Sequence, residues 1–193
     1  MKILCVSDYH ADERLAKNIE DLAEAEKVDA VINAGDFVSR SFAEKVLNRT
    51  KFQTFVVRGN WDGEITIKNK NVHLLKDDVM EYKGYYFIGV EFGYYSHIIR
   101  LAKNLDNRKI ILITHEPPYD ILDLTYFGAS AGLIDLRAIV NEIKPLIHVF
   151  GHIHESAGYI KHKGTLFVNA ALPEFRKAFV VHLPSLEVKS FDV

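Results

Sequence analysis

Short, nearly continuous apolar runs alternate with segments of helical period along the first third of the chain. Lys2 to Ser7 is such a run, bounded by polar residues, as expected for a strand covered on both faces. The period then changes: Asp12 is placed to cap a helix whose stripe is Leu15, Ile19, Leu22 and Ala23. Ala30 to Asn33 resumes the strand pattern, Phe42 to Leu47 suits a second helix, and Phe52 to Val57 a third strand. Strand, helix, strand, helix, strand predicts parallel pairing. Further on, Lys83-Gly84 separates Val79–Tyr82 from Tyr85–Val90 as a hairpin, so the sheet structure is expected to be mixed.

Ile110 to Thr114 reads as another buried strand, followed by a loop from Glu116 to Ala129. A helix then carries Leu133, Leu136, Val140 and Ile143 on one face, with Pro145 at its end. Leu146 to Phe150 is the next strand. The tail reads as meandering β-structure: Lys163-Gly164 turns into Thr165–Val168, Ala178–Leu183 follows, and Pro184-Ser185 precedes Leu186–Phe191. The 193 residues suit one domain, 1–193, with no linker or repeat to divide it.

A net charge of −2 and a pI near 6.5 supply no general field for a phosphate backbone, so stable nucleic-acid binding is not expected. A small phosphorylated ligand is compatible with them. The lone Cys5 lies in the first apolar run and excludes an internal disulfide. With no secretory pattern at Met1–Ser7 and no apolar run of spanning length, the expectation is a cytoplasmic chain without a membrane partner.

Against that background one set of residues stands out. Asp8, His10, Asp36, Asn60, His115, His152 and His154 all fall just beyond strand-like runs. Strands of a parallel sheet present their carboxyl ends along one edge, so residues remote in sequence can meet there. Oxygen and imidazole donors meeting in that way suit a divalent metal. If the backbone stays extended, Asp8 and His10 leave from the same side and can share one ion; His152 and His154 repeat the spacing after Gly151. Asp36 has two oxygens with which to bridge cations, and the Asn60 amide binds a hard ion without adding charge. Four imidazoles favour Mn, Fe, Co, Ni or Zn over Mg alone.

Asp8-x-His10, Gly35-Asp36, Gly59-Asn60-x-Asp62, His115 and Gly151-His152-x-His154, in that order, resemble the pattern of the calcineurin-like metallophosphoesterase superfamily. The resemblance covers the whole chain. It implies an α/β fold, a two-sheet mixed β-sandwich flanked by helices, with two divalent ions (Mn2+ first) at the sheet edge. Asp8, His10, Asp36 and His154 would hold one ion and Asp36, Asn60, His115 and His152 the other, while Asp62 would hydrogen-bond an imidazole such as His115 or His10. The implied reaction is hydrolysis of a small phosphodiester, or a phosphomonoester, by a hydroxide activated between the metals.

Trp61 departs from the pattern, because many members that resemble this chain carry a His there as general acid. An indole N–H does not titrate. His97, beside the aromatic segment Phe92-Gly93-Tyr94-Tyr95, is the candidate substitute. The loop after His115 holds Tyr119, Tyr126 and Phe127, apolar surface that could line a base or aryl pocket, cover the core or join copies into a homo-oligomer. A second class of function also follows from the resemblance: a binding module like the phosphoesterase-fold subunit of the retromer coat. The complete donor set counts against it, since a chain released from catalysis has no need of four imidazoles.

Overall fold

In β1 (Lys2–Val6) alternate residues leave from opposite faces: Ile3 and Cys5 join one buried cluster, Leu4 and Val6 another. That division runs through the computed structural model of the chain, which describes residues 1–91, 93 and 95–193. Phe92 and Tyr94 of the aromatic segment lie outside the described residues. After β1 come α1 (Glu13–Glu26), β2 (Ala30–Asn33), α2 (Arg40–Arg49), β3 (Gln53–Val56), β4 (Val72–Leu74), β5 (Asp78–Tyr82) and β6 (Tyr85–Gly89). The second half adds α3 (His97–Ala102), β7 (Ile110–Ile113), α4 (Ile134–Ile143), β8 (Ile147–Phe150), β9 (Gly158–His162), β10 (Thr165–Asn169), β11 (Lys177–His182) and β12 (Glu187–Asp192).

Two six-stranded sheets result, in the orders β12-β11-β1-β2-β3-β4 and β5-β6-β7-β8-β10-β9. Within the first, β1 to β4 are parallel, and β11 pairs antiparallel with both β1 and β12. Within the second, β6, β7, β8 and β10 are parallel, edged by antiparallel β5 and β9. This is the mixed two-sheet α/β arrangement the sequence implies.

The inward faces of both sheets build one core, in which Phe55 and Phe87 stack at 3.8 Å between ring centroids. The outer face of the first sheet packs with Leu15 and Ile19 of α1 and with Phe42 and Leu47 of α2. The outer face of the second packs with Ile98 of α3 and with Leu136 and Val140 of α4. Because the parallel strands are covered on both sides, they lack an apolar/polar alternation in sequence. Asp12 caps α1 as expected, accepting from Arg14 N at 2.9 Å and Leu15 N at 3.0 Å. α2 starts at Arg40, earlier than the apolar period indicates, because Ser39 accepts from Phe42 N. α3 is absent from the sequence reading, since its six residues are too few to establish a period.

His148 in β8 is fully buried, between the rings of Phe150 and Phe167. Thr114 Oγ1 donates to Glu116 O at 2.8 Å and so accepts from His148 Nε2, also at 2.8 Å. His148 Nδ1 has no partner among the described residues, and burial pushes the imidazole down to about 3. The unfolded chain therefore binds a proton between about pH 6.5 and about 3 that the folded one refuses, and stability falls as pH falls through that window. His148→Phe should remove that part of the acid sensitivity, on the order of a few kcal/mol. Denaturant midpoints at pH 7 and pH 4 for both proteins check this; an equal drop in both would show that His148 does not titrate on unfolding.

Candidate metal centre

The loops at the carboxyl ends of β1, β2, β3, β7 and β8 carry the donors, and their backbone departs from extended geometry. Asp8, His10, Asp36 and His152 have φ of 59°, 48°, 58° and 71°. Left-handed conformations are uncommon outside glycine, and they cluster at functional sites where surrounding contacts enforce them. Two amides show that enforcement, with Asp8 N donating to Gly35 O at 2.8 Å and His10 N to Asp36 O at 3.2 Å. The expected extended Asp8-x-His10 geometry is thus corrected: a turn, not strand alternation, aims the two side chains.

Close approach of neighbouring loops explains two glycines. A β-carbon on Gly59 would overlap Asp36 Oδ1, and one on Gly151 would overlap Asp8 Oδ2 and Ser7 Oγ. The two carboxylates are accordingly sealed in, Asp8 fully buried and Asp36 nearly so.

Imidazoles surround them. His154 Nε2 lies 3.2 Å from Asp8 Oδ1; His10 Nε2 lies 4.0 Å from the same oxygen and 3.9 Å from Asp36 Oδ2. His115 Nε2 lies 3.5 Å from Asp36 Oδ2, 2.9 Å from Asn60 Oδ1 and 3.2 Å from His152 Nδ1. Asp8, His10 and His154 form one group with donor atoms within 4.8 Å of one another, and Asp8, Asp36 and His115 form a second. Asp8 is common to both, and Asp36 also reaches an imidazole on each side, so either carboxylate is positioned between the two halves.

The electrostatics follow from this crowding. Burial works to raise the Asp8 carboxyl, but the His154 hydrogen bond and the His115 charge together hold it below the ordinary range. Burial likewise opposes protonation of His115, yet Asp36 and Asp8 raise it. His154 is raised mainly by its bond to Asp8, while burial and the neighbouring His115 lower His152.

The donor set fits divalent metal. His115 Nδ1 is 2.8 Å from Ala34 O, which fixes the tautomer and leaves Nε2 free to ligate among Asp36, Asn60 and His152. Two buried carboxylates flanked by imidazoles are poorly compensated without cations, and oxygen plus imidazole is a transition-ion donor set.

Asp62 has a different task from the one the resemblance implies. It touches neither His115 nor His10 through a hydrogen bond. Instead Oδ2 accepts from Asp36 N (2.7 Å) and Gly59 N (2.9 Å), while Oδ1 accepts from Phe37 N (2.8 Å) and Val38 N (3.0 Å). It ties the Asp36 loop to the Asn60 loop. His97 is not part of the cluster; it begins α3 with Nδ1 3.2 Å from Asp77 Oδ2, and that carboxylate holds the ring. Trp61 meets Asp36 Oδ1 through its backbone N–H at 3.1 Å, and its side chain is exposed. Arg58, its side chain largely covered, pairs with Glu91 at 2.6 Å and Glu64 at 2.8 Å.

Two contributors went unassigned in the sequence. Asn169 donates to Ile153 O at 2.8 Å, between the candidate ligands His152 and His154 of the last loop, and to Leu122 O at 3.1 Å. Glu116, directly after His115, is buried, and neither carboxylate oxygen has a hydrogen-bond partner among the described residues; burial, reinforced by the Asp36 charge, pushes it up to about 7. The signal for Glu116 was a charged residue adjoining His115, the donor that follows a buried strand.

A two-sheet α/β fold with carboxylates and imidazoles gathered at its strand ends defines a metallophosphoesterase-type protein. The calcineurin-like phosphoesterase superfamily domain matches residues 1–176, and the chain belongs to that superfamily. A Caenorhabditis elegans protein of the UPF0046 group is 29% identical, over 89% of this chain and 69% of its own length. Among solved structures, a Thermus thermophilus protein aligns with a TM-score of 0.76 at 13% identity, covering 99% of this chain and 98% of that one. An archaeal phosphodiesterase aligns with a TM-score of 0.66 at 18% identity over the whole of both chains. At these identities the two structures establish the fold. Among the described residues no helix is long and apolar enough to cross a membrane.

Proposed function

We propose that this chain is a metal-dependent phosphoric ester hydrolase acting on a small phosphodiester, with phosphomonoesters as the second substrate class. The observation that carries the reading is the convergence of buried Asp8 and Asp36 with His10, His115 and His154 at the strand ends. Asp8, His10, Asp36 and His154 would hold one divalent ion, and Asp36, Asn60, His115 and His152 a second, Mn2+ being the first choice and Fe, Co, Ni, Zn and Mg the others. When bound, such ions supply Lewis acidity, a lowered water pKa and charge neutralisation on the phosphoryl oxygens.

The chain's residues contribute orientation. Ala34 O fixes the His115 ring, Asp62 fixes the backbone that carries Asp36, and Asn169 fixes the loop that carries His152 and His154. The reaction joins water oxygen to phosphorus and breaks one ester P–O bond, with the departing alkoxide taking a proton. At the position beside Asn60, Trp61 offers no titratable proton, and His97 is engaged with Asp77. That arrangement favours esters with good leaving groups and supports the diester preference. Trp61→His should speed esters of poor leaving groups by about ten- to a thousandfold and leave p-nitrophenyl esters little changed. Rates on ethyl and p-nitrophenyl esters check this, and equal effects on both would show that protonation does not limit turnover.

The reading itself is tested with metal-stripped protein, bis-p-nitrophenyl phosphate and p-nitrophenyl phosphate, restoring each divalent ion in turn. Metal-dependent turnover favouring the diester supports it. No turnover with any ion would leave the binding-module alternative.

A further inference from the structure

Asp62 N donates to Gly59 O at 3.2 Å and closes a four-residue turn whose tip residues are Asn60 and Trp61. A candidate metal donor and the chain's single tryptophan therefore stand side by side, both exposed, Trp61 at 67%. Their backbone is fixed from two directions. Asp62 accepts from four backbone N–H groups, and Trp61 N donates to Asp36 Oδ1 at 3.1 Å. The Cα that bears the indole is thus no more than about 4.6 Å from that oxygen. Val38, another exposed apolar residue, is held by the same Asp62 carboxylate through its N–H at 3.0 Å.

The burial of the donors shows where the cluster opens. Asp8, Asp36 and His115 are buried, whereas His10 and Asn60 are exposed. The turn also walls a cavity of about 230 Å3 through Gly59, Asn60 and Asp62, so open space adjoins the Asn60 donor. With Asp8 and Asp36 sealed in by the Gly151 and Gly59 loops, a substituent esterified to a phosphoryl group at the cluster leaves on the His10 and Asn60 side. Trp61 stands at that side. Turn tips favour Gly, Pro, Asn, Asp and Ser, so turn geometry does not call for an indole there, and an exposed ring is not explained by the core.

We propose that Trp61 is a stacking platform for an aromatic substituent, aryl ring or nucleobase, of the phosphate ester whose phosphoryl group lies at the Asp8–Asp36 cluster. The inference rests on the phosphoesterase reading above and adds the substrate class. An indole face stacks on bases and aryl rings alike. Trp61 is then a specificity-determining residue at the position beside Asn60 where a titratable side chain is missing.

The probes are phenylphosphonate against propylphosphonate, and the methylene phosphonate of adenosine against that of ribose, none of which can be hydrolysed as an ester. Because the chain has one tryptophan, selectively excited indole fluorescence reports on Trp61 alone. In Mn2+-loaded protein an aromatic probe should quench or shift that emission at the midpoint found by calorimetry. It should bind about five- to a hundredfold tighter than its ring-free counterpart, the scale of one ring stacked on an aromatic side chain. The pair with the larger ratio identifies the source, aryl ring or nucleobase. Trp61→Ala should bring both pairs within about threefold, while Trp61→Phe, which like Trp61→His keeps a flat ring, should retain most of the preference. Equal affinities within both pairs in the unaltered protein overturn the inference while leaving the hydrolase reading intact, provided the nitrophenyl esters are turned over. A preference that survives in Trp61→Ala overturns it as well. If Trp61→Ala does not fold, the emission of the unaltered protein decides, and aromatic probes that bind without changing it overturn the assignment. Emission that instead shifts with protein concentration, without any probe, shows a second copy covering the indole and also overturns it. Failure to turn over any nitrophenyl ester with any ion counts against the hydrolase reading and removes the inference with it.

Discussion

Asp36→Asn should lower metal-dependent phosphoester hydrolysis by about a thousandfold or more. The substitution preserves size, and the amide oxygen can still accept from Trp61 N, so the fold around it should persist. What disappears is a negative charge within 3.5 Å of His115 Nε2 and 3.9 Å of His10 Nε2, between the two halves of the donor set. Charge stabilisation by metals in such a site is worth several kcal/mol, and each 1.36 kcal/mol is tenfold in rate. The measurements are kcat/KM on bis-p-nitrophenyl phosphate and the metal content of the dialysed protein. Loss of both would place Asp36 between the ions. Full activity with normal metal content would refute that role and turn attention to Asp8, which belongs to both candidate groups.

Asp8 and Asp36 were legible in the sequence for a physical reason. Parallel strands end on one edge whatever their separation along the chain, so an apolar run followed by a donor already fixes the donor's neighbourhood. β1, β2, β3, β7 and β8 each announce themselves as apolar runs, and the donors beyond them do meet. The local geometry after each strand was not legible. Left-handed backbone at Asp8, His10, Asp36 and His152 depends on contacts between loops, such as Asp8 N to Gly35 O, rather than on residue type. Side-chain partners that are backbone atoms were equally hidden: nothing in a string of letters indicates that His115 Nδ1 meets Ala34 O. His97 shows the converse, where a titratable type near an aromatic run suggested chemistry and the fold supplied Asp77 as its partner.

The same distinction gives the second large effect, at Asp62. A carboxylate behind a ligating imidazole would tolerate replacement by Asn, whose oxygen could still accept one ring N–H. The observed carboxylate is used differently, since each of its oxygens accepts from two backbone amides. Asn has only one acceptor oxygen, and its NH2 group would face either the Asp36 and Gly59 amides or those of Phe37 and Val38. Asp62→Asn therefore strands a pair of N–H groups beside a new donor and should cost at least about 2 kcal/mol; Asp62→Ala strands all four and should cost about 3 kcal/mol or more. Both should also weaken metal binding about ten- to a hundredfold, because the segment being loosened carries Asp36 and lies against Asn60. Thermal midpoints and Mn2+ titrations of the two variants decide the matter. An Asn variant as stable as the parent would mean that Asp62 serves an imidazole after all, whereas an Asn variant close to Ala means that the two donor loops are held together through their backbones.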